Sequence, residues 1–162
     1  MKAMILAAGK GTRLLPLTSE IPKPLAPVVD RPVIEYIFEL LADGGVEEAY
    51  VNIHHLADYI LEFYGGTPRM NGMRVHLCRE EELMGTAGGV KRLEDRFEET
   101  FVVIMGDALT DIDVREVVDF HRKREALATL ALARVSDTSE YGVVEVDREG
   151  NILGFQEKPE PE

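Results

Sequence analysis

Apolar and polar positions change period several times along the chain, and each change marks an element. Residues 2–7 (KAMILA) form a short continuous apolar run that ends at Ala8-Gly9, the pattern of a buried strand. Over 32–43, Ile34, Ile37, Phe38 and Leu41 recur at i, i+3, i+4 and i+7. That spacing predicts a helix with Pro32 in its first turn and Gly44-Gly45 ending it. A strand is predicted over 49–53, then a helix with Leu56, Tyr59, Ile60 and Phe63 on one face, stopped by Gly65-Gly66. Residues 73–78 alternate as a strand, and 86–97 read as a helix turning Val90, Leu93 and Phe97 inward. The run FVVIM, 101–105, predicts a strand covered on both faces. Asp113 starts the next helix, with Glu116 three residues on as a capping-box partner and Val114, Val117, Val118 and His121 facing inward. Strands are predicted over 127–134, 142–147 and 152–156. The last two flank Asp147-Arg148-Glu149-Gly150-Asn151, a hairpin turn.

Strand and helix alternate, which argues for an α/β fold with a mostly parallel sheet. Ligands of such sheets sit outside the carboxyl ends of the strands, where the strand order switches. The segments after Ala8, Arg79 and Met105 are therefore expected to gather at one edge. The stretch 9–32 is long for a connection in a compact domain and is not of low complexity, which marks it as functional. No internal repeat or linker interrupts the pattern, so 1–162 is read as a single domain.

Composition narrows the class. A chain of 162 residues, 45% hydrophobic and 30% charged, suits one globular domain with a real core. No apolar run approaches the roughly 18–20 residues that span a bilayer. The apolar start is too short for a signal peptide, and a cytoplasmic protein is expected. The single cysteine, Cys78, fits a reducing compartment and reads as a small buried apolar residue. The formal net charge of −12 repels a polyanion, so nucleic acid is excluded as a partner. An anionic substrate then needs its positive groups concentrated at one place.

Two segments offer them. Gly9-Lys10-Gly11-Thr12-Arg13 follows the first strand; its glycines let the backbone bring N–H groups to phosphate oxygens, and Arg13 adds a planar cationic fork. Leu14 stands where a dinucleotide fingerprint needs its third glycine, and no Walker loop is present. By itself this segment reads equally as a phosphate loop or an ordinary turn. In Pro22-Lys23-Pro24 the prolines hold Lys23 on a stiff extended backbone, suited to developing phosphate charge; alone, it reads as a solvated loop lysine. His54, His55, His76 and His121 lack metal-ligand spacing and read as structural. The run Glu80-Glu81-Glu82 reads as a solvated face, with a carboxylate reading a base edge as the other reading.

Residues 6–25, LAAGKGTRLLPLTSEIPKPL, resemble the signature of the sugar-1-phosphate nucleotidyltransferases (nucleotide-sugar pyrophosphorylases), G-x-G-T-R-x-x-P-x-T-x-x-x-P-K. Gly9, Gly11, Thr12, Arg13, Pro16, Thr18, Pro22 and Lys23 all stand in register. The likeness continues through Met84-Gly85-Thr86-Ala87-Gly88-Gly89, Gly106-Asp107, Tyr141-Gly142-Val143-Val144 and Glu157-Lys158-Pro159, in order along the whole chain. It implies a Rossmann-like three-layer sandwich around a mostly parallel mixed sheet. It implies nucleotide contacts from Leu6, Ala7, Ala8, Gly9, Gly11 and Thr12 and from Gly85, Thr86 and Ala87. Arg13 and Lys23 match the catalytic basic residues, Asp107 a Mg²⁺ ligand, and Gly142, Glu157 and Lys158 the sugar-phosphate contacts. Lys158 precedes Pro159 and is expected on an extended backbone.

The implied reaction joins a nucleoside triphosphate to a sugar-1-phosphate with Mg²⁺ as cofactor, giving a nucleotide sugar and pyrophosphate. The segments 85–88 and 51–60 look most like mannose-1-phosphate guanylyltransferases, so GTP and mannose-1-phosphate are the expected pair. Glucose-1-phosphate thymidylyl- or uridylyltransfer and N-acetylmuramate-1-phosphate uridylyltransfer are the alternatives. A non-catalytic regulatory subunit that binds nucleotide sugars is the alternative of another class. The resemblance implies no membrane partner and leaves room for a homo-oligomer. Family domains run beyond this length and supply a second metal-binding aspartate after the Glu-Lys-Pro segment, so the chain is expected to be an N-terminal portion with its sheet incomplete at the carboxyl end.

Overall fold

The computed structural model describes residues 1–66, 68–139 and 141–158. The chain divides into two compact units, Met1–Glu125 and Ala126–Glu162. In the first, β1 (Lys2–Leu6) leads into three 3₁₀ turns, Thr12–Leu14, Leu17–Ser19 and Lys23–Leu25, and a two-stranded ribbon of β2 (Pro27–Val28) and β3 (Arg31–Pro32). There follow α1 (Val33–Asp43), β4 (Glu48–Ile53), α2 (Ala57–Tyr64), β5 (Arg69–Met70), β6 (Met73–Arg79), α3 (Gly85–Arg92), β7 (Phe101–Met105) and α4 (Val114–Arg124). The sheet order is β5-β6-β4-β1-β7. β6, β4, β1 and β7 run parallel, and the short β5 is antiparallel to β6. The chain steps from β1 out to β6, then returns to the other side of β1, so the strand order reverses between β1 and β7.

After Lys2, β1 is apolar because Ala3 to Leu6 are buried on both faces. Ala3 and Ile5 join a core built from Ile34, Ile37, Phe38 and Leu41 of α1 and Ile60 of α2. Met4 and Leu6 face the other way, with Tyr50, against Val90, Leu93 and Phe97. Helices thus cover both faces, giving the expected three-layer α/β architecture with a mostly parallel mixed sheet. Each fully buried side chain of α1 contributes about 1.5–3 kcal/mol. α4 packs on the same side as α1: a Cβ on Gly44 would lie 2.7 Å from the Cβ of Val114. Asp113 caps α4 as expected, its side chain accepting from the amides of Arg115 and Glu116.

Several expectations need correction. α2 buries Ala57 and Ile60, with Leu61 and Tyr64 packed on the same core, whereas Tyr59 and Phe63 are exposed; Leu56 lies outside the helix in a left-handed turn. Residues 86–97 are α3 plus a separate 3₁₀ turn, Glu94–Arg96, because the backbone leaves the helix at Leu93 (φ −110°, ψ 19°). Leu93 and Phe97 still pack inward. β7 is not covered on both faces: Val102 and Ile104 pack on the core, while Val103 and Met105 are exposed, since β7 is an edge strand of the sheet. Pro32 lies one residue before α1, in extended backbone (φ −55°, ψ 141°).

In the second unit β8 (Gly142–Val146) pairs antiparallel with β9 (Ile152–Glu157). Asp147 closes the hairpin by accepting from the amides of Glu149 and Asn151, and Gly150 takes φ +85°. The strand expected over 127–134 does not form. Leu127, Leu130 and Leu132 are exposed; β-prone composition reflects fit to a half-buried pleated surface and does not itself supply a ladder partner. Among the described residues no helix is long and apolar enough to cross a membrane.

Candidate functional site

Because β1, β4, β6 and β7 are parallel, their carboxyl ends lie along one edge. β1 delivers Leu6, Ala7 and Ala8, all buried, before the chain surfaces at Gly9. Gly11 takes φ +64°, and a Cβ there would stand 2.9 Å from Thr18 Cγ2 and 3.1 Å from Lys23 Cβ. Only glycine combines that backbone with that clearance. Thr18, fully buried, donates its hydroxyl to the Gly11 carbonyl at 2.8 Å and so ties the loop to the turn behind it. The turn Thr12–Leu14 leaves Thr12 and Arg13 exposed to solvent.

Lys23 is not on extended backbone. Pro22 is extended, but Lys23–Leu25 is a 3₁₀ turn closed by bonds from Leu25 N to Pro22 O and from Ala26 N to Lys23 O. Buried Pro24 and Leu25 anchor that turn. It carries Lys23 Nζ into an ion pair with Asp107, both side chains about a third exposed (32% and 28%). Asp107 follows β7, and the Gly106 amide donates to the Leu6 carbonyl at 2.9 Å, extending the β1–β7 alignment by one residue. The loop after β1 and the end of β7 therefore meet at the reversal of strand order.

Gly85, Thr86 and Ala87 form the exposed first turn of α3, with Gly85 at φ +70°. Three residues at the end of β4, whose joint role the pattern did not reveal, link these segments. Asn52 accepts from the Ala7 amide at 2.8 Å and donates to Glu80 Oε1 at 2.9 Å. His54 Nδ1 lies 2.9 Å from the Glu80 carbonyl, and His55 Nε2 lies 2.9 Å from the Thr18 carbonyl. Glu80 is thus no part of a solvated face; it is 3% exposed, because its carboxylate completes hydrogen bonds inside the site. The available signal was Asn52, a lone polar residue near the end of an apolar strand, since a buried amide must find partners. On the neighbouring strand, burial pushes the Cys78 thiol pKa up, opposed by attraction from Arg96 and Arg92.

In the second unit Gly142 pairs with Glu157 across the hairpin, and a Cβ on Gly142 would meet Glu157 Oε2 at 3.2 Å. Lys158 is not extended: it takes φ +41°, turned by the bond from its amide to the Tyr141 carbonyl. Gly142, Glu157 and Lys158 are adjacent at one end of that hairpin. Pro159 lies outside the described residues.

The strand order β6-β4-β1-β7, with a glycine loop and a Lys–Asp pair where it reverses, defines a Rossmann-like α/β domain. The chain belongs to the nucleotidyl transferase family, matched over residues 2–162. It is 42% identical over 173 residues to a UTP–glucose-1-phosphate uridylyltransferase of Synechocystis, covering 98% of this chain and 44% of that protein. It is 34% identical over 160 residues to a mannose-1-phosphate guanylyltransferase of Mycobacterium tuberculosis, with the same two coverages. The chain thus spans less than half the length of these two curated relatives. The crystal structure of a putative glucose-1-phosphate thymidylyltransferase from Bacillus anthracis, in complex with a sucrose, superposes with a TM-score of 0.86 at 27% identity, over 98% of this chain and 65% of that one.

Proposed function

We propose that this chain is the nucleotide-handling part of a sugar-1-phosphate nucleotidyltransferase. The observation that carries the reading is the meeting of Arg13's loop, Lys23 and Asp107 at the reversal of strand order, within a chain matched to the family from end to end. An oxygen of the sugar-1-phosphate attacks the α-phosphorus of a nucleoside triphosphate. The bond to the β-phosphate breaks, and pyrophosphate leaves with the electron pair. The nucleophile is already an anion, so no general base is required. The obstacle is repulsion between two polyanions, which makes positioning and charge neutralisation the whole of catalysis.

Arg13 and Lys23 neutralise the triphosphate and its leaving pyrophosphate. The backbone of Leu6 to Thr12 and of Gly85 to Ala87 receives base and phosphates. Gly142 and Glu157 hold sugar hydroxyls, and Lys158 holds the sugar phosphate. Among the described residues no group of three His, Cys, Asp or Glu side chains gathers to cage a metal. Asp107 presents one partly exposed carboxylate. Mg²⁺ is ordinarily held by one or two carboxylates together with substrate phosphates and water, so Asp107 fits a cation arriving with the triphosphate. When bound, Mg²⁺ supplies Lewis-acid charge on the phosphate oxygens.

The higher identity to the uridylyltransferase favours UTP with glucose-1-phosphate. The resemblance of 85–88 and 51–60 to guanylyltransferases favours GTP with mannose-1-phosphate. Pyrophosphate release is measured with Mg²⁺, either sugar phosphate, and each of UTP, GTP, dTTP, ATP and CTP. Release with one triphosphate supports the reading and names the base. Release with none, from this chain and from a chain extended past Glu162, refutes it.

A further inference from the structure

Beyond Glu48 at its start, β4 is buried, and Asn52 near its end is the buried side chain that carries an amide. Asn52 is 2% exposed; its Oδ1 accepts the Ala7 amide at 2.8 Å and its Nδ2 donates to Glu80 Oε1 at 2.9 Å. Glu80, 3% exposed, accepts the Met84 amide on Oε2 at 3.3 Å. Gly89 closes over the pair: a Cβ there would lie 2.6 Å from Asn52 Nδ2 and 3.0 Å from Glu80 Oε1. One chain of three hydrogen bonds therefore runs from the loop after β1, through the ends of β4 and β6, to the start of α3. Its two ends are the segments assigned above to the triphosphate.

The polarity of this chain leaves no freedom. Both termini are backbone N–H donors, so the side chains between them must offer acceptors outward. Asn52 does so with Oδ1 and spends its donor on Glu80; Glu80 answers with two acceptors. Turning the Asn52 amide over would set Nδ2 against the Ala7 N–H and Oδ1 against a carboxylate oxygen. Each such mismatch leaves buried polar groups unpaired.

We propose that Asn52 and Glu80 are a positioning pair that holds the loop after β1 and the start of α3 in register, so that a triphosphate engaging one segment finds the other already placed. The inference rests on the proposed function and adds to it a coupling between the two segments assigned to the triphosphate. Neither residue touches substrate; both act through backbone amides.

Two isosteric changes and their combination test it. Asn52→Asp sets two carboxylates against each other. Glu80→Gln sets an amide donor against either Asn52 Nδ2 or the Met84 amide. The double variant Asn52→Asp/Glu80→Gln keeps both outward acceptors, reverses only the middle bond and preserves volume and net charge. Dissociation constants for Mg-UTP and Mg-GTP are measured by calorimetry on the four proteins, below the melting temperature of each. Each single change is expected to weaken binding by roughly tenfold or more, as an unpaired buried group implies. The double variant is expected to recover to within about threefold of the wild type, the non-additivity of groups in one network. Singles that melt earlier but bind as the wild type does, or a double no better than the singles, overturn the coupling alone. A wild-type protein that binds none of the Mg complexes of UTP, GTP, dTTP, ATP and CTP, at this length and extended past Glu162, overturns the proposed function, and the coupling with it.

Discussion

At the residue scale, Lys23 and Asp107 form an ion pair at the surface of the site, and that geometry predicts how a variant behaves. The pair is about a third exposed on each side, and partly solvated pairs add roughly 0–1 kcal/mol to stability. Lys23→Ala should therefore melt within a few degrees of the wild type, while losing on the order of 10²–10³ in turnover, the usual cost of removing one charge-stabilising group. Near-normal pyrophosphate release from a folded Lys23→Ala protein would refute the role. Cys78 is the opposite kind of residue. Burial, partly opposed by Arg96 and Arg92, raises its pKa, so its thiolate is scarce at neutral pH. Alkylation at pH 7.5 should be slower in the native protein than in denaturant, and equal rates would contradict this environment. A group that ionises later in the folded state favours folding below its unfolded pKa, and loses that contribution as pH rises through the folded value.

At the scale of elements, the legible features were those with a strictly local cause. The period of Ile34, Ile37, Phe38 and Leu41 identified α1, and Asp113 identified the start of α4, because helix phase and caps are written within a few residues. Asp113→Ala should cost about 1 kcal/mol, read as an earlier denaturant midpoint with an unchanged slope; no shift would mean the two amide bonds to Asp113 are replaced by water. The misread elements had non-local causes. Tyr59 and Phe63 have the spacing of a buried face, but the core is packed by Ala57, Ile60, Leu61 and Tyr64 one position on, a choice made by contacts distant in sequence. FVVIM is continuous because its composition is β-prone, yet its place at the sheet edge leaves Val103 and Met105 exposed. The leucines of 127–134 have strand composition and no strand. At the site, the motif made Gly11, Arg13, Lys23 and Asp107 visible. Asn52 and Glu80 stayed hidden because their meaning lies in partners 45 and 28 residues away.

At the scale of the whole molecule, the proposed substrates divide between the two compact units. The residues assigned to the triphosphate (Arg13, Lys23, Asp107 and Gly85 to Ala87) all lie in Met1–Glu125, and those assigned to the sugar phosphate (Gly142, Glu157 and Lys158) all lie in Ala126–Glu162. The overall charge of −12 makes both tasks depend on local cations. Lys158 sits at the end of a hairpin that forms its own ladder, in the unit assigned to the sugar phosphate. Lys158→Ala is then expected to leave the dissociation constant of the Mg-triphosphate within about twofold, a difference well under 1 kcal/mol, while weakening sugar-1-phosphate binding by roughly tenfold or more, the loss of a charge-assisted bond. Arg13→Ala should do the reverse. Calorimetry with each substrate alone reads both constants without requiring turnover. If either variant weakens both substrates equally, the division of labour between the units is wrong.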